Sequence, residues 1–204
     1  RQCANVNVYV QGKEIIEECS ELHIQSDNAN GSIDLIDYSV FNYPLSIFGN
    51  ISHSTDKRPY ANSSIRIASG EGINVLESSS GFNFLNDNYD VDWSIESSFF
   101  LNEVYDINPI ISNVIESGNI GFNLGVYDGK LNFILHQKNE FNIDLKSTTN
   151  IEDQNWYHAK VVKRDNKLNL ILDGKTESSI NLSEQYFSYI EETNDIAMYF
   201  YTKN

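Results

Sequence analysis

Apolar and polar side chains alternate through the middle of the chain. From Asp90 to Leu101, Val91, Trp93, Ile95 and Phe99 fall on one face, with Asp92, Ser94 and Glu96 on the other. That period of two is the pattern of a strand with one face in a core. Two hairpins of similar design follow. In the first, Phe122, Leu124 and Val126 lead into Leu131, Phe133 and Leu135 across Asp128-Gly129, a pair suited to a type I′ turn because both residues must reach positive φ. In the second, Asp165-Asn166 holds the equivalent place, and Leu168, Leu170 and Leu172 alternate behind it. Antiparallel strands at this spacing, without intervening helices, predict an all-β, antiparallel two-sheet β-sandwich.

Upstream the pattern is shorter in reach. Residues 4–10 alternate, Gln11-Gly12 makes a turn, and Cys19–Gln25 reads as a second strand. We read residues 1–31 as a short amino-terminal β arm or hairpin and residues 32–204 as the sandwich. Ile33–Ile36, Leu45–Phe48 and Ser64–Ala68 are short apolar runs in a stretch of strands separated by Asn, Ser and Gly loops. No segment sustains a 3.6-residue apolar period, so helix is limited to a turn or two around residues 183–189.

Composition adds to this picture in three places. A chain of 204 residues suffices for one domain with a sizeable core. Its 14 Lys and Arg against 29 Asp and Glu leave a formal charge of -15, which argues against nucleic acid or an anionic membrane as partner, since a phosphate-binding surface needs clustered cations. No run approaches the roughly 20 apolar residues of a membrane helix, so no membrane insertion is expected. The chain opens at Arg1 rather than Met, as expected of a processed product or an excised piece. Cys3 and Cys19 flank the arm and are either a disulfide staple or two reduced thiols.

Asp92-Trp-Ser-Ile-Glu96, Gly121 to Leu131, and Trp156-Tyr-His-Ala-Lys-Val-Val through Asp173-Gly174 resemble the strand and hairpin motifs of laminin-G-like jelly rolls in the concanavalin A-like lectin/glucanase superfamily. The resemblance extends over roughly residues 32–204 and implies a jelly-roll fold. It implies membership among carbohydrate-binding modules, adhesins, lectins, spacer domains, toxin receptor-binding parts or phage virion proteins. His158 lies inside the Trp-Tyr-His strand, where the resemblance implies a structural role. After Asp195–Tyr201 no counterpart of the family's closing strand follows, so that edge is expected to be filled either by the amino-terminal arm or by a neighbouring chain or domain.

The superfamily's glycosidases carry paired carboxylates in an E-x-D-x-x-E run, and this sequence has none. We therefore expect a non-enzymatic recognition or adhesion domain of a larger extracellular or virion surface protein, one that binds glycan. The alternative is a structural virion component, such as a phage capsid decoration, tail or fibre protein, that binds neighbouring subunits. The loop aromatics Tyr60, Tyr105 (with Asp106) and Tyr189 are the candidate sugar contacts, as rings that stack on a pyranose beside groups that bond its hydroxyls. Calcium is the candidate cofactor, because the resemblance implies it and Asp87, Asn88 and Asp90 cluster hard oxygens of the kind it takes. The loop Ser26–Gly31 is a weaker calcium candidate, and for both stretches ordinary turn chemistry is the simpler explanation.

Overall fold

The computed structural model describes residues 8–10, 13–15, 22–58, 62–75, 92–112, 121–136 and 142–182. Among them there are strands and no helix: β1 (Val8–Val10), β2 (Lys13–Ile15), β3 (Leu45–Phe48), β4 (Ser52–Ser54), β5 (Ser64–Arg66), β6 (Gly72–Val75), β7 (Trp93–Phe100), β8 (Ile107–Ser112), β9 (Gly121–Tyr127), β10 (Lys130–His136), β11 (Ile143–Asn150), β12 (Trp156–Arg164), β13 (Lys167–Leu172) and β14 (Lys175–Asn181). Two four-stranded antiparallel sheets, ordered β11-β10-β9-β8 and β14-β13-β12-β7, make the body; β1-β2, β3-β6 and β4-β5 form smaller pairs.

Alternation explains the body. Leu131, Phe133 and Leu135 stand opposite Val126, Leu124 and Phe122, and all six are 0–4% exposed. From the other sheet Trp93, Phe99, Ala159, Val161, Leu168, Leu170 and Leu172 face them in one apolar cluster, with the Trp93 ring 6.1 Å from that of Phe133. Burying a side chain of this size contributes about 1.5–3 kcal/mol, so this interior dominates the fold. The first hairpin turn has the predicted chemistry, with Asp128 and Gly129 at φ of 49° and 70°; in the second only Asp165 of Asp165-Asn166 reaches positive φ (51°), while Asp173 and Gly174, between β13 and β14, form a further turn at 48° and 79°. Pro109 sits on β8 at the edge of its sheet, where the register shifts, the one kind of place a sheet tolerates a residue without an N–H.

The two sheets are also clamped by a polar group. Glu177 on β14 has a side chain only 1% exposed. Its Oε2 accepts the backbone N–H groups of Thr148 and Thr149 at 2.8 and 2.9 Å, together with the Thr148 hydroxyl; its Oε1 accepts the Thr149 hydroxyl at 2.8 Å and Lys175 Nζ at 2.9 Å. These donors, the Thr148 hydroxyl foremost and then Lys175, hold the carboxyl far below the usual glutamate range.

Residues 22–75 are built differently. Asp37, 2% exposed, accepts from His23 N (2.8 Å) and Ser39 N (2.9 Å) at Oδ1, and from Ser39 Oγ (2.6 Å) and Tyr43 N (2.9 Å) at Oδ2. Buried His53 is tied by Nε2 to the Asp34 carbonyl at 2.9 Å, so its Nδ1 accepts from Ser26 Oγ at 2.6 Å. Glu71 spans two turns by accepting from Asn50 N and Ala68 N, both at 2.8 Å, and these bonds lower its pKa. Gly49, at φ 96°, lies against the Glu71 side chain, where a Cβ would collide.

Three expectations change here. Ile33–Ile36 is no strand: Ile33 and Ile36 are 65% and 44% exposed, because the Asp37 cage sets the path of this loop and leaves its apolar side chains outside. The arm pairs Val8–Val10 with Lys13–Ile15; of the strand expected at Cys19–Gln25, the described residues 22–25 form no strand and hold the isolated bridge from Ile24 to Asp37. The strand read from Asp90 begins, among the described residues, at Trp93. The two cysteines and residues 183–189 lie outside the described residues.

Candidate binding surfaces

Four connections gather at one end of the sandwich: residues 101–106 between β7 and β8, Asp128-Gly129, residues 151–155 between β11 and β12, and Asp173-Gly174. Backbone bonds join them into a frame. Asp128 N donates to the Asp106 carbonyl (3.0 Å), Ile151 N to Gly129 O (2.8 Å), Gln154 N to Leu101 O (2.8 Å) and Asp173 N to His158 O (2.9 Å). Gln154 Nε2 adds a bond to the Asn102 carbonyl at 2.5 Å. Buried Asn108 locks the first loop, accepting from Tyr105 N at 3.3 Å and donating to Tyr105 O at 2.5 Å.

Tyr105 and Asp106 stand on this rim. The Tyr105 ring is 49% exposed, and its hydroxyl donates to Glu103 Oε2 at 2.9 Å. That bond, reinforced by the charge of Glu103, raises the phenol pKa. An exposed ring beside two carboxylates can stack on a sugar face while the acids accept from its hydroxyls. The other sequence candidates, Tyr60, Tyr189 and the calcium set Asp87, Asn88 and Asp90, lie outside the described residues. Within the weaker calcium loop, Asn62 Nδ2 donates to Asp27 Oδ1 at 2.5 Å and Thr55 N to Asn30 Oδ1 at 3.2 Å, so two of its oxygens serve turn structure. Among the described residues no three His, Cys, Asp or Glu side chains converge on a point that could hold a metal ion.

A second surface escaped the sequence reading. On the outer face of β7 and β12, Phe100 stands opposite Trp156, Ser98 opposite His158, and Glu96 opposite Lys160. The Phe100 and Trp156 rings lie 5.5 Å apart, tilted by 49°, and Lys57 Nζ sits 5.1 Å from the Phe100 centroid. Glu96 Oε2 pairs with Lys160 Nζ at 2.9 Å and lies 4.0 Å from His158 Nε2. Of these positions the sequence pattern assigns only Glu96 to the polar face, and the resemblance implies a structural role for His158. The signal available was their register: each polar or aromatic residue of one strand falls beside one of the next.

The outer face of the other sheet carries a hydrogen-bonded row. Ser112 Oγ donates to Asn123 Oδ1, and Asn123 Nδ2 donates to His136 Nε2 at 3.0 Å. Burial holds the His136 pKa below its ordinary value, against an opposing bond to Asn142, so this imidazole is the neutral acceptor its partner requires.

A Laminin G domain profile matches residues 111–197. No curated protein sequence matches the chain significantly. Among solved structures, the binding domain of Paraclostridial mosquitocidal protein 1 is similar at a TM-score of 0.64 and 16% identity, over 84% of this chain and 42% of that one. The botulinum neurotoxin DC binding domain is similar at 0.65 and 17% in its complex with rat synaptotagmin II, over 89% and 43%. In its complex with SialylT the values are 0.64 and 16%, over 88% and 43%. The chain is thus a laminin-G-like β-sandwich that spans less than half the length of the solved structures it matches.

Proposed function

We propose that this chain is a non-enzymatic recognition domain of a larger extracellular protein, and that it binds glycan through the rim around Tyr105 and Asp106. The observation that carries the reading is an exposed aromatic ring flanked by carboxylates on loops fixed by backbone hydrogen bonds; a preorganised contact loses little entropy on binding. The similar botulinum neurotoxin domain in complexes with SialylT and with synaptotagmin II supports a recognition role for this fold. The acidic residues of the central strand are both engaged, Asp92 by Asp165 N at 2.7 Å and Glu96 by Lys160 Nζ at 2.9 Å, which favours a frame over an active site.

The test is a glycan-array screen of the chain and of Tyr105→Ala, each in calcium and in chelator. Saturable binding by the parent chain that disappears in the variant supports the rim. Loss in chelator adds the calcium set Asp87, Asn88 and Asp90 to the site. Binding that survives Tyr105→Ala removes the rim from the account.

A second reading, a structural component of a virion or other assembly that binds neighbouring subunits, is favoured by one observation. Val40 and Phe41 are 66% and 51% exposed on the turn that Asp37 holds rigid, and rigid exposed apolar side chains suit a protein contact. Concentration-dependent association in sedimentation that is lost in Val40→Ser/Phe41→Ser supports that reading; a monomer at all concentrations counts against it.

A further inference from the structure

We infer that the loop from Ile36 to Pro44 is a docking tip for a lipid surface, one that dips into the interface of a zwitterionic phospholipid bilayer without spanning it. The inference rests on the extracellular reading above and uses none of the rim residues.

The polarity of this loop is inverted. Residues 36–38 run beside residues 23–25, tied by the bridge from Ile24 to Asp37 and by Tyr38 N donating to the His23 carbonyl at 2.7 Å. Asp37 and Ser39 are buried, while Ile36, Tyr38 and Val40, which alternate with them, are exposed. The alternation puts polar groups inside and apolar groups outside, the reverse of β9 and β10. Val40 and Phe41 take the two central positions of the turn that Asn42 N closes on the Ser39 carbonyl at 3.3 Å. Of the seven large apolar side chains exposed among the described residues, Ile33, Ile36, Tyr38, Val40 and Phe41 are five. Such a concentration marks a contact with something other than water.

Backbone bonding and shape select lipid over protein. Of the six N–H groups from Tyr38 to Tyr43, five donate within the chain: Tyr38 to His23 O, Ser39 and Tyr43 to the Asp37 carboxylate, Phe41 to Ser39 Oγ and Asn42 to Ser39 O. Pro44 has no N–H to leave unpaired. A segment that enters an acyl layer must bring its own acceptors, because no water is there to supply them. The tip is also convex, with Val40 and Phe41 each more than half exposed. A protein partner would need a pocket cut to match, whereas a fluid layer moulds itself to the side chains. Tyr38 adds an exposed ring with a polar end, a side chain suited to the headgroup level.

Charge selects the lipid. Between Asp34 and Asp56 the only acidic or basic side chain besides His53 is Asp37, although 21% of the chain is charged. Asp37 is buried and satisfied by His23, Ser39 and Tyr43. The loop therefore offers no exposed charge for a charged headgroup, and the net charge of -15 repels an anionic surface. Anionic lipids collect in the cytoplasmic leaflet, and the extracellular reading puts the chain on the other side.

The subunit reading claims the same turn, so the experiment separates the two. The chain is floated with phosphatidylcholine vesicles and with vesicles in which part of the lipid is phosphatidylserine, at low and high salt. It should float with the neutral vesicles, independently of salt, and no better with the anionic ones. Val40→Ser with Phe41→Ser should reduce flotation about tenfold or more, while Val40→Leu with Phe41→Leu retains it; both pairs are exposed and should leave the melting temperature within about 2 °C of the parent. The emission of Phe41→Trp should be quenched by lipids brominated in their acyl chains. Tyr105→Ala should float like the parent, so a failure here leaves the glycan rim standing. No flotation with phosphatidylcholine, flotation that needs phosphatidylserine or falls with salt, flotation that survives the Ser pair, or an unquenched Trp overturns the inference. Self-association that the Ser pair abolishes, without flotation, overturns it in favour of the subunit contact.

Discussion

The two four-stranded sheets and the segment from residue 22 to residue 75 reach order by different means. In the sheets, side chains such as Leu124, Phe133, Val161 and Leu170 are fully buried and interdigitate across the sandwich. In the upstream segment strands are three or four residues long, and beside the buried Ile51 and Ile73 the groups that tie its loops are the buried polar side chains Asp37, His53 and Ser63. Apolar burial is non-directional and sums over many residues; a buried carboxylate with four donors is directional and fixes one loop. The first mechanism makes a rigid frame, and the second shapes individual turns on it. Both candidate binding surfaces belong to the frame, where a contact residue is held to the precision that recognition needs.

Variants at the centres of the two regions separate these mechanisms. Phe133→Ala removes a 0%-exposed ring that touches both Trp93 and Phe122; chemical denaturation should show a loss of about 3–5 kcal/mol, the largest of the set. Asp37→Ala leaves the donors of His23, Ser39 and Tyr43 without their acceptor and should cost about 2–4 kcal/mol. Its damage should be confined to the loop, so amide spectra would shift around residues 23–43 and stay unchanged in β9 to β13.

Glu177 joins the sheets by charge-assisted bonds, and its effect depends on pH. Its folded-state pKa is depressed, so the stability it contributes is present above the unfolded glutamate value and is lost as pH falls below about 4 toward the lower folded value. Glu177→Gln should lower the melting temperature by roughly 2–4 °C at neutral pH. A scan of melting temperature against pH should show the gap between parent and variant closing in acid. A gap of constant size at all pH values would mean that the carboxylate's charge contributes nothing. The smallest expected effect on folding is that of Tyr105→Ala, within about 0.5 kcal/mol of the parent, since its ring is half exposed and its contacts are local.

The body of the fold was legible because its information is periodic. The hairpin registers of Phe122 to Leu135 and of Val161 opposite Leu170 follow from alternation and from where the Asp-initiated turns fall. Residues 33–36 were misread as a strand because an apolar run carries no sign of where a distant carboxylate will hold it. Lys163 was equally hidden. It occupies a core-facing position with a side chain 0% exposed, 4.0 Å from Asp92, a pairing set by the register of β7 on β12. Of the rim, Tyr105 and Asp106 were readable as loop residues, but the bonds from Gln154 and Asp128 that fix the loop link positions far apart in sequence. The Trp156 and Phe100 pair was visible in both strands and passed over, since a motif that serves a fold draws attention to its inward half.

The rim is held as rigidly as the sheets that carry it. Native-state hydrogen exchange tests it at single amides. Asp128, Ile151 and Gln154 donate the N–H bonds that close the frame, and their exchange should be slowed to within about tenfold of the β9–β10 strand amides. Exchange at the rate of an open loop, with the strand amides still protected, would contradict the account: the frame would open freely, and Tyr105 would not be held in place for a ligand.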